Sequence, residues 1–115
     1  MSSNGKILIY APNNSNGFGG VKSIENAASK IAKRLKLGLE VIQRADLNSV
    51  WVYFESCDGQ LIPVYFNYWL DCREEEVYMK IRNMMFVLSF HPRFRGLRPI
   101  RREITGLLEC DALIL

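Results

Sequence analysis

Apolar residues recur at helical spacing in the first third of the chain and predict a helix over about residues 21–37. The positions are three or four residues apart, which places them on one face of the helix. Gly38 follows them and is suited to end the helix in a left-handed conformation. Lysines occupy the opposite face, which is therefore solvated or in contact with something acidic. The apolar positions are Val21, Ile24, Ala28, Ile31 and Leu35.

Two short β-favouring runs flank this helix. Residues 6–10 (KILIY) form an apolar run that predicts a strand, and residues 11–20 (APNNSNGFGG) have the composition of the loop that follows it. Residues 39–43 (LEVIQ) are predicted as a second strand. The first third of the chain is therefore expected to run strand, loop, helix, strand.

The clearest local pattern is a β-hairpin over about residues 50–66. Two apolar runs, VWVYFESC and QLIPVYF, flank Asp58 and Gly59. This dipeptide tolerates the positive φ angles of a two-residue type I′ turn. A two-residue turn would place Tyr53 opposite Val64.

Both faces of this hairpin carry apolar side chains. Trp51 and Phe66 are expected opposite each other on one face, and Phe54 lies on the other. A small sheet with one solvated face alternates more cleanly between apolar and polar residues. We therefore expect a helix or another protein to cover the second face. Pro63 lacks an N–H for the ladder and predicts an edge position for its strand.

A second helix is predicted over about residues 72–89. Asp71 and Glu74 resemble a capping box, and the acids at residues 74–76 suit the positive end of the helix dipole. Pro92 bounds the helix at its other end. The apolar stripe comprises Val77, Ile81, Met84 and Leu88.

The C-terminal segment allows two readings. Ile100, Ile104 and Leu107 have the spacing of a short third helix interrupted by Gly106, whereas the final residues 112–115 (ALIL) could form a strand. We therefore expect a short C-terminal helix or strand.

The elements together predict one small α+β domain over residues 1–115, with residues 1–5 as a flexible tail. The sheet is expected to be mostly antiparallel and to be packed by the two main helices. At 115 residues, 49% of them hydrophobic, the chain is long enough for one core and too short for two ordinary domains.

The chain lacks the run of about 20 apolar residues that a membrane-spanning helix needs, and its first residues are polar. We therefore expect a cytoplasmic protein without membrane contact. Its three cysteines, Cys57, Cys72 and Cys110, are widely spaced and odd in number, which predicts reduced thiols rather than disulfides.

Charge is unevenly distributed along the chain, although the formal net charge is only +3. The first helix carries several cations near its end, and residues 91–102 contain five arginines, one phenylalanine and no acid. Arginine recognises phosphate well, and an aromatic ring among arginines can stack on a base. The residues predicted to bind nucleic acid or an acidic protein partner are Lys30, Lys33, Arg34, Arg93, Phe94, Arg95, Arg98, Arg101 and Arg102.

Glycines between the first strand and the first helix provide a possible phosphate site. Backbone N–H groups at a helix N-terminus can bind phosphate, and Gly17, Gly19 and Gly20 lie where such a site would form. The stretch matches neither GxGxxG nor GxxxxGK[ST]. A plain connecting loop would use glycines in the same way.

The opening stretch KILIYAPNNSNGFGGVKSIENAASKIAKRLK, about a quarter of the chain, resembles the first β-loop-α unit of GT-B glycosyltransferases. That family has two Rossmann-like domains with its donor site between them, and 115 residues leave no room for the second domain. The resemblance therefore implies a β-loop-α unit with its glycines at the turn, and it does not imply the glycosyltransferase activity.

Catalytic and metal-binding groups are sparse. His91 is the only histidine, so a multi-histidine metal site is excluded, and we expect neither a metal nor a cofactor. His91 is expected to lie at the end of the second helix. The turn and the cap account for Asp58 and Asp71, which leaves a non-enzymatic protein as the favoured reading.

Three functions follow from these patterns. The first is a regulatory module that binds nucleic acid through the lysines of the first helix and the arginines of residues 93–102. The second is a protein-interaction module, inhibitor or subunit that binds through the aromatic hairpin face. The third is a small phosphate or nucleotide binder that uses the glycine loop. A homodimer or a larger complex is compatible with the first two. The aromatic residues predicted to form the protein-binding surface of this second function are Trp51, Tyr53, Phe66, Tyr68 and Trp69.

Overall fold

The computed structural model describes residues 5–12, 19–67 and 72–114, and the statements below concern these residues. They form four strands, three α-helices and one 3₁₀ helix in the order β1, α1, β2, β3, β4, α2, 3₁₀, α3. Their bounds are β1 Lys6–Pro12, α1 Gly19–Leu35, β2 Gly38–Arg44, β3 Val50–Glu55, β4 Leu61–Asn67, α2 Glu74–Leu88, the 3₁₀ helix Arg95–Ile100 and α3 Arg101–Ile114.

The strands form one mixed sheet in the order β2-β1-β3-β4. β1 runs parallel to β2 and antiparallel to β3, and β3 pairs antiparallel with β4. The parallel pair requires a crossover, which α1 supplies. The predicted small α+β domain with a mostly antiparallel sheet is therefore confirmed, and β4, which contains Pro63, is an edge strand as predicted.

One face of the sheet holds the hydrophobic core. α1 lies over β1 and β2, α2 lies over β4 and against α1, and α3 packs against α2. All three helices contribute buried side chains to a single cluster with the sheet residues Ile7, Ile9, Val52, Phe54 and Ile62. The described helices therefore cover one face only, and the predicted covering of the second face is not found among them.

The predicted hairpin is present, but its turn differs from the expected type I′ turn. The N–H of Gly59 bonds to the carbonyl of Ser56, and the N–H of Ser56 bonds to the carbonyl of Gln60. Among the three residues between Ser56 and Gln60, only Gly59 has a positive φ, of 91°. A type I′ turn needs two such residues, whereas a type I turn followed by one left-handed glycine makes a three-residue loop.

The longer loop changes the register near the tip of the hairpin. Trp51 faces Phe66 as predicted, but Tyr53 faces Pro63 instead of Val64. A β-bulge at Val64 supplies the extra residue on β4 and restores the predicted pairing toward the open end. The prediction was wrong near the tip because it assumed a two-residue turn.

Lys36, and not Gly38, takes the left-handed conformation that ends α1. Its φ is 58°, and the N–H of Leu37 bonds to the carbonyl of Ala32 at 2.7 Å. This bond, from the second residue beyond the helix, is the signature of a Schellman motif. Gly38 instead begins β2, where its N–H bonds to the carbonyl of Gly5.

The other two helices differ from expectation at their ends. α2 begins at Glu74, with Arg73 as an N-cap residue whose side chain makes no capping bond. The predicted cap Asp71 lies outside the described residues. α3 continues through Gly106 to Ile114, so the helical reading of the C-terminal segment is right and the strand reading is wrong.

Gly5, the last residue of the tail that the sequence predicts to be flexible, is buried, and its carbonyl accepts from the N–H of Gly38 at 3.0 Å. A Cβ on this residue would lie 2.5 Å from the carbonyl oxygen of Glu55, so only glycine fits. Residues 1–4 lie outside the described residues. Among the described helices, none has the length and apolar character needed to cross a bilayer.

Candidate interaction surfaces

The face of the sheet opposite the helices, here called the open face, carries a row of four aromatic rings. Strand alternation places Tyr10 of β1, Trp51 and Tyr53 of β3 and Phe66 of β4 on this side. The centroids of Tyr10 and Tyr53 are 5.6 Å apart, and those of Trp51 and Phe66 are 4.2 Å apart. Trp51 and Tyr53 are nearly parallel, with 18° between their planes. The row therefore crosses three neighbouring strands.

These rings are exposed to different degrees. Phe66 is 44% exposed, and the other three are partly buried by one another. The indole N–H of Trp51 donates to Oγ of the buried Ser49 at 3.0 Å, which fixes the ring and satisfies its polar atom. A partner that contacts this ring therefore meets a preorganised apolar surface and leaves no polar atom of the indole unsatisfied.

A shallow cup lies in the middle of the open face. Its volume is about 460 Å³, and three aromatic rings form much of its wall. Two leucines and one arginine complete the lining. The lining residues are Tyr10, Arg44, Leu47, Trp51, Tyr53 and Leu61.

Ion pairs neutralise the charges at both ends of the open face. At one end, Nζ of Lys6 lies 3.0 Å from Glu40 and 3.6 Å from Glu55. The hydrogen bond to Glu40 raises the pKa of the Lys6 amine. At the other end, Nη2 of Arg44 lies 3.1 Å from Asp46. Two cations and three carboxylates give this surface a net charge of −1, although the whole chain is formally +3.

The tip of the hairpin fixes the segment that contains the arginines. Nε2 of Gln60 donates to the carbonyl of Arg93 at 2.6 Å, and the N–H of Gly96 donates to Oε1 of Gln60 at 3.0 Å. Leu97 and Ile100 are buried in the core and hold the 3₁₀ helix against it. The backbone of this segment is therefore held against the core, while the side chains of Arg93, Arg95, Arg98 and Arg102 are exposed.

The predicted basic residues of this segment divide into two groups. Arg95, Arg98 and Arg102 follow one another at spacings of three and four residues on the side opposite Leu97 and Ile100, so they form one exposed stripe. Arg93 is also exposed. The other two predicted residues, Phe94 and Arg101, are partly buried.

Phe94 and Arg101 make contacts within the fold. Phe94 packs against the core, and its ring lies 5.1 Å from that of His91. Arg101 donates to the carbonyl of Ser89, and its guanidinium lies 4.1 Å above the ring of Phe90. These contacts give both residues structural roles.

The predicted basic residues of α1 also fall into two groups, two exposed lysines and one arginine that bonds within the fold. Lys30 and Lys33 are exposed, and the amine of Lys30 lies 4.9 Å from the ring centroid of Tyr78. Arg34 instead donates to Asp111 at 2.8 Å and to the hydroxyl of Tyr78 at 2.7 Å. Arg34 therefore joins α1 to the other two helices.

Asp111 is the centre of a polar cluster that the sequence did not reveal. Oδ2 accepts from Arg82 at 2.7 Å and from the hydroxyl of Tyr78 at 2.8 Å, and Oδ1 accepts from Arg34. We call these four residues the Asp111 cluster. The side chains of Arg82 and Asp111 are 11% and 15% exposed. The cluster therefore links α1, α2 and α3 through mostly buried charges.

Burial and hydrogen bonding shift the pKa values of Tyr78 and Asp111 in opposite directions. Burial, together with the bond to Asp111, raises the pKa of Tyr78 to about 12. Burial alone would also raise the pKa of Asp111, but bonds from Arg82, Tyr78 and Arg34 together hold it below its ordinary value. Asp111 is therefore ionised and Tyr78 neutral at neutral pH.

The two basic segments flank the same end of the sheet. α1 ends beside Gly38, which bonds to Gly5, and Gly5 lies against Glu55 at the end of β3. Ser56 follows Glu55 and contacts Gly96. The ends of β1 and β3 therefore separate the end of α1 from the arginine stripe.

The predicted phosphate loop is only partly described. Gly19 and Gly20 are the first residues of α1, as a β-loop-α unit requires, and Gly17 lies outside the described residues. Tyr68 and Trp69, predicted for the aromatic surface, also lie outside them. Among the described residues, no group of histidine, cysteine and carboxylate side chains is suited to a metal ion. Within the described part of the chain, Cys57, Cys72 and Cys110 form no disulfide.

Comparison with known proteins adds no functional assignment. The chain matches no protein-family model, and no curated protein is significantly similar to it in sequence. The open face and the arginine stripe are therefore the two candidate sites of function.

Proposed function

We propose that this chain is a non-enzymatic interaction module that binds a partner protein through the open face of its sheet. The observation that carries the proposal is the contact row of Tyr10, Tyr53, Trp51 and Phe66 on a face that the described helices leave uncovered. Protein interfaces typically combine an apolar, aromatic-rich centre with a polar rim. The aromatic row and the ion pairs around it have this arrangement.

The charge of the open face favours a protein over nucleic acid as its partner. Aromatic rings on a sheet can stack on bases, but binding of a nucleic acid also needs cations near the rings to neutralise phosphates. Lys6 and Arg44 are the cations at the ends of this face, and both are paired with carboxylates. An apolar protein surface requires no such cations.

The test is quantitative binding by a partner that is first identified by co-purification and then purified by itself. Phe66→Ser and Tyr53→Ser are each expected to weaken its binding at least about tenfold, because aromatic residues at the centre of an interface carry much of its energy. Tryptophan emission, to which Trp51 contributes, should change on binding, and calorimetry should give a negative heat-capacity change as apolar surface is buried.

Leu113→Ser is the matched control. Leu113 is 88% exposed on α3, so its replacement removes an apolar side chain away from the open face. Unchanged binding by Leu113→Ser together with loss in the other two variants supports the proposal. Equal binding by all three variants, at unchanged thermal stability, would contradict it.

Nucleic-acid binding through the arginine stripe is a second candidate, and the exposure of Arg95, Arg98 and Arg102 favours it. Basic side chains on one face provide the charge that contacts with a phosphate backbone require. Among the described residues, none of the three takes part in an ion pair within 4.0 Å. Lys30 and Lys33 lie on α1, beyond the strand ends, and would form a separate basic patch.

Replacement of Arg93, Arg95 and Arg98 by alanine tests this second candidate. The side chains are exposed, so unfolding free energy should change by less than about 0.5 kcal/mol. Affinity for a fluorescent single-stranded oligonucleotide should fall, and the slope of its salt dependence should decrease by about one for each phosphate that the variant no longer neutralises. A wild-type protein that shows no salt-sensitive oligonucleotide binding would exclude this function for the stripe.

A further inference from the structure

β2 forms one edge of the sheet, and within residues 5–12, 19–67 and 72–114 no strand pairs with its outer row of backbone groups. The N–H of Gly38 bonds to the carbonyl of Gly5, so the even-numbered residues of β2 direct their backbone groups toward β1. Leu39, Val41 and Gln43 therefore direct theirs to the outer edge.

The two edges of the sheet differ in how they are protected. Natural sheets limit edge-to-edge association with charged side chains, especially lysine, and with proline or a β-bulge on the edge strand. β4 has both Pro63 and the bulge at Val64. β2, with the sequence GLEVIQR, has no proline, lysine or bulge, and its two charges, Glu40 and Arg44, are opposite in sign. Leu39 and Val41 are also 40% and 39% exposed, although they lie on the helix side of the sheet.

We propose that β2 pairs antiparallel with β2 of a second copy of this chain. The charges on β2 favour a second copy over an unrelated strand, because Glu40 and Arg44 lie symmetrically about Ile42. A two-fold axis at Ile42 places Glu40 of each copy opposite Arg44 of the other. The strand is therefore complementary to itself in charge.

The backbone directions are consistent with this register. Glu40 and Arg44 direct their backbone groups toward β1, so their cross-strand pairs are non-hydrogen-bonded positions, where side chains approach most closely. Val41 and Gln43 face each other at hydrogen-bonded positions, and the two symmetric pairs supply about four backbone bonds. An axis at Val41 satisfies the backbone equally well but places Glu40 opposite Ile42. The charge pattern therefore selects the axis at Ile42.

The dimer would bury the exposed apolar residues and enlarge the open face. On the helix side of a continuous sheet of eight strands, Val41 of each copy would face Gln43 of the other and lie diagonally from its Val41, and Leu39 would face Ala45 at the end of the paired segment. Glu40 already contacts Lys6 through Oε1 and retains its second oxygen, and Arg44 bonds to Asp46 through Nε and Nη2 and retains Nη1, so both have an atom left for the pair between copies. The aromatic rows of the two copies would lie on the same side of the sheet, so dimerisation does not compete with binding at the open face.

Charge reversal gives a direct test by sedimentation equilibrium on the full chain. Glu40→Arg places two arginines opposite each other, and Arg44→Glu places two glutamates opposite each other. Each variant alone should self-associate at least about tenfold more weakly than wild type. An equimolar mixture should recover dimers, because each interface then contains two complementary pairs. Lys22→Glu, at an exposed position of α1, changes the net charge as much as Arg44→Glu and should leave self-association unchanged.

Val41→Pro tests the backbone pairing without altering charge. The N–H of Val41 faces the outer edge, where proline is tolerated in a strand, so pairing with β1 should persist and dimers should be lost. Circular dichroism and thermal unfolding establish that the variant is folded. A wild-type chain that is monomeric at the highest soluble concentration would overturn the proposal. Dimers that survive Val41→Pro, or variants that fail to recover on mixing, would overturn it as well.

Discussion

Asp111→Ala is expected to lower the free energy of unfolding by about 2–4 kcal/mol, because it leaves two arginines and a tyrosine hydroxyl without their shared acceptor. Arg82 and Asp111 are largely buried, so solvent compensates poorly for the missing bonds. Asp111 also lies near the C-terminal end of α3, where the helix dipole disfavours a carboxylate. Its stabilising effect therefore arises from the cluster and not from α3. Urea unfolding measures the change.

Asp46→Ala is the matched control for the loss of a carboxylate. Asp46 contacts Arg44 at 3.1 Å, but the two side chains are 64% and 54% exposed. Exposed ion pairs contribute little, so the loss should be below about 0.5 kcal/mol. Equal effects of the two substitutions would show that α3 does not depend on the Asp111 cluster for its packing.

The Asp111 cluster should also make the stability of the fold depend on pH, both in acid and in alkali. The folded pKa of Asp111 lies below its unfolded value of about 3.8, so the stabilisation is complete above that value and is lost as the pH falls through the folded pKa. The difference in unfolding free energy between wild type and Asp111→Asn should therefore become smaller as the pH falls below about 3.8. The pKa of Tyr78 is raised from 10.0 to about 12, so stability should fall as the pH rises between these values. Tyr78→Phe should remove that alkaline loss.

Elements that depend on local sequence were largely predictable. The spacing from Val21 to Leu35 specified α1 because one apolar face is enough to define a helix against a core. The apolar runs around Asp58 and Gly59 specified the hairpin. The turn itself was not predictable, because Ser56 bonds through both its backbone and its side chain to Gln60 and favours a longer loop.

Features that depend on distant contacts were not predictable. Arg34 looked like part of a basic surface, but it bonds to Asp111, 77 residues away. Arg101 likewise resembled its exposed neighbours until the fold placed Ser89 and Phe90 beside it. Charge and spacing identify candidate cations, whereas only the packing of helices determines which cations have partners. The exposure of one sheet face was unpredictable for the same reason, because it depends on where all three helices pack.

Gly96→Ala is expected to lower the free energy of unfolding by about 2–3 kcal/mol, because the new methyl group has no space. A Cβ at this position would overlap Cβ of Ser56 and lie 2.6 Å from its Oγ. Ser56 is 6% exposed and cannot easily move, since its N–H bonds to the carbonyl of Gln60 at 2.9 Å. The substitution should therefore separate the 3₁₀ helix from the hairpin tip.

Gly106→Ala provides the opposite expectation for the same chemical change. Nothing lies within 4 Å of a Cβ at Gly106, which is exposed in the middle of α3. Alanine favours a helix over glycine by about 1 kcal/mol, so this variant should be more stable than wild type. If urea unfolding gives changes in unfolding free energy of opposite sign for the two variants, the destabilisation by Gly96→Ala arises from the contact with Ser56. A loss below about 0.5 kcal/mol for Gly96→Ala would mean that the segment can move away from the hairpin, and the arginine stripe would then lack the fixed backbone that aligns its side chains.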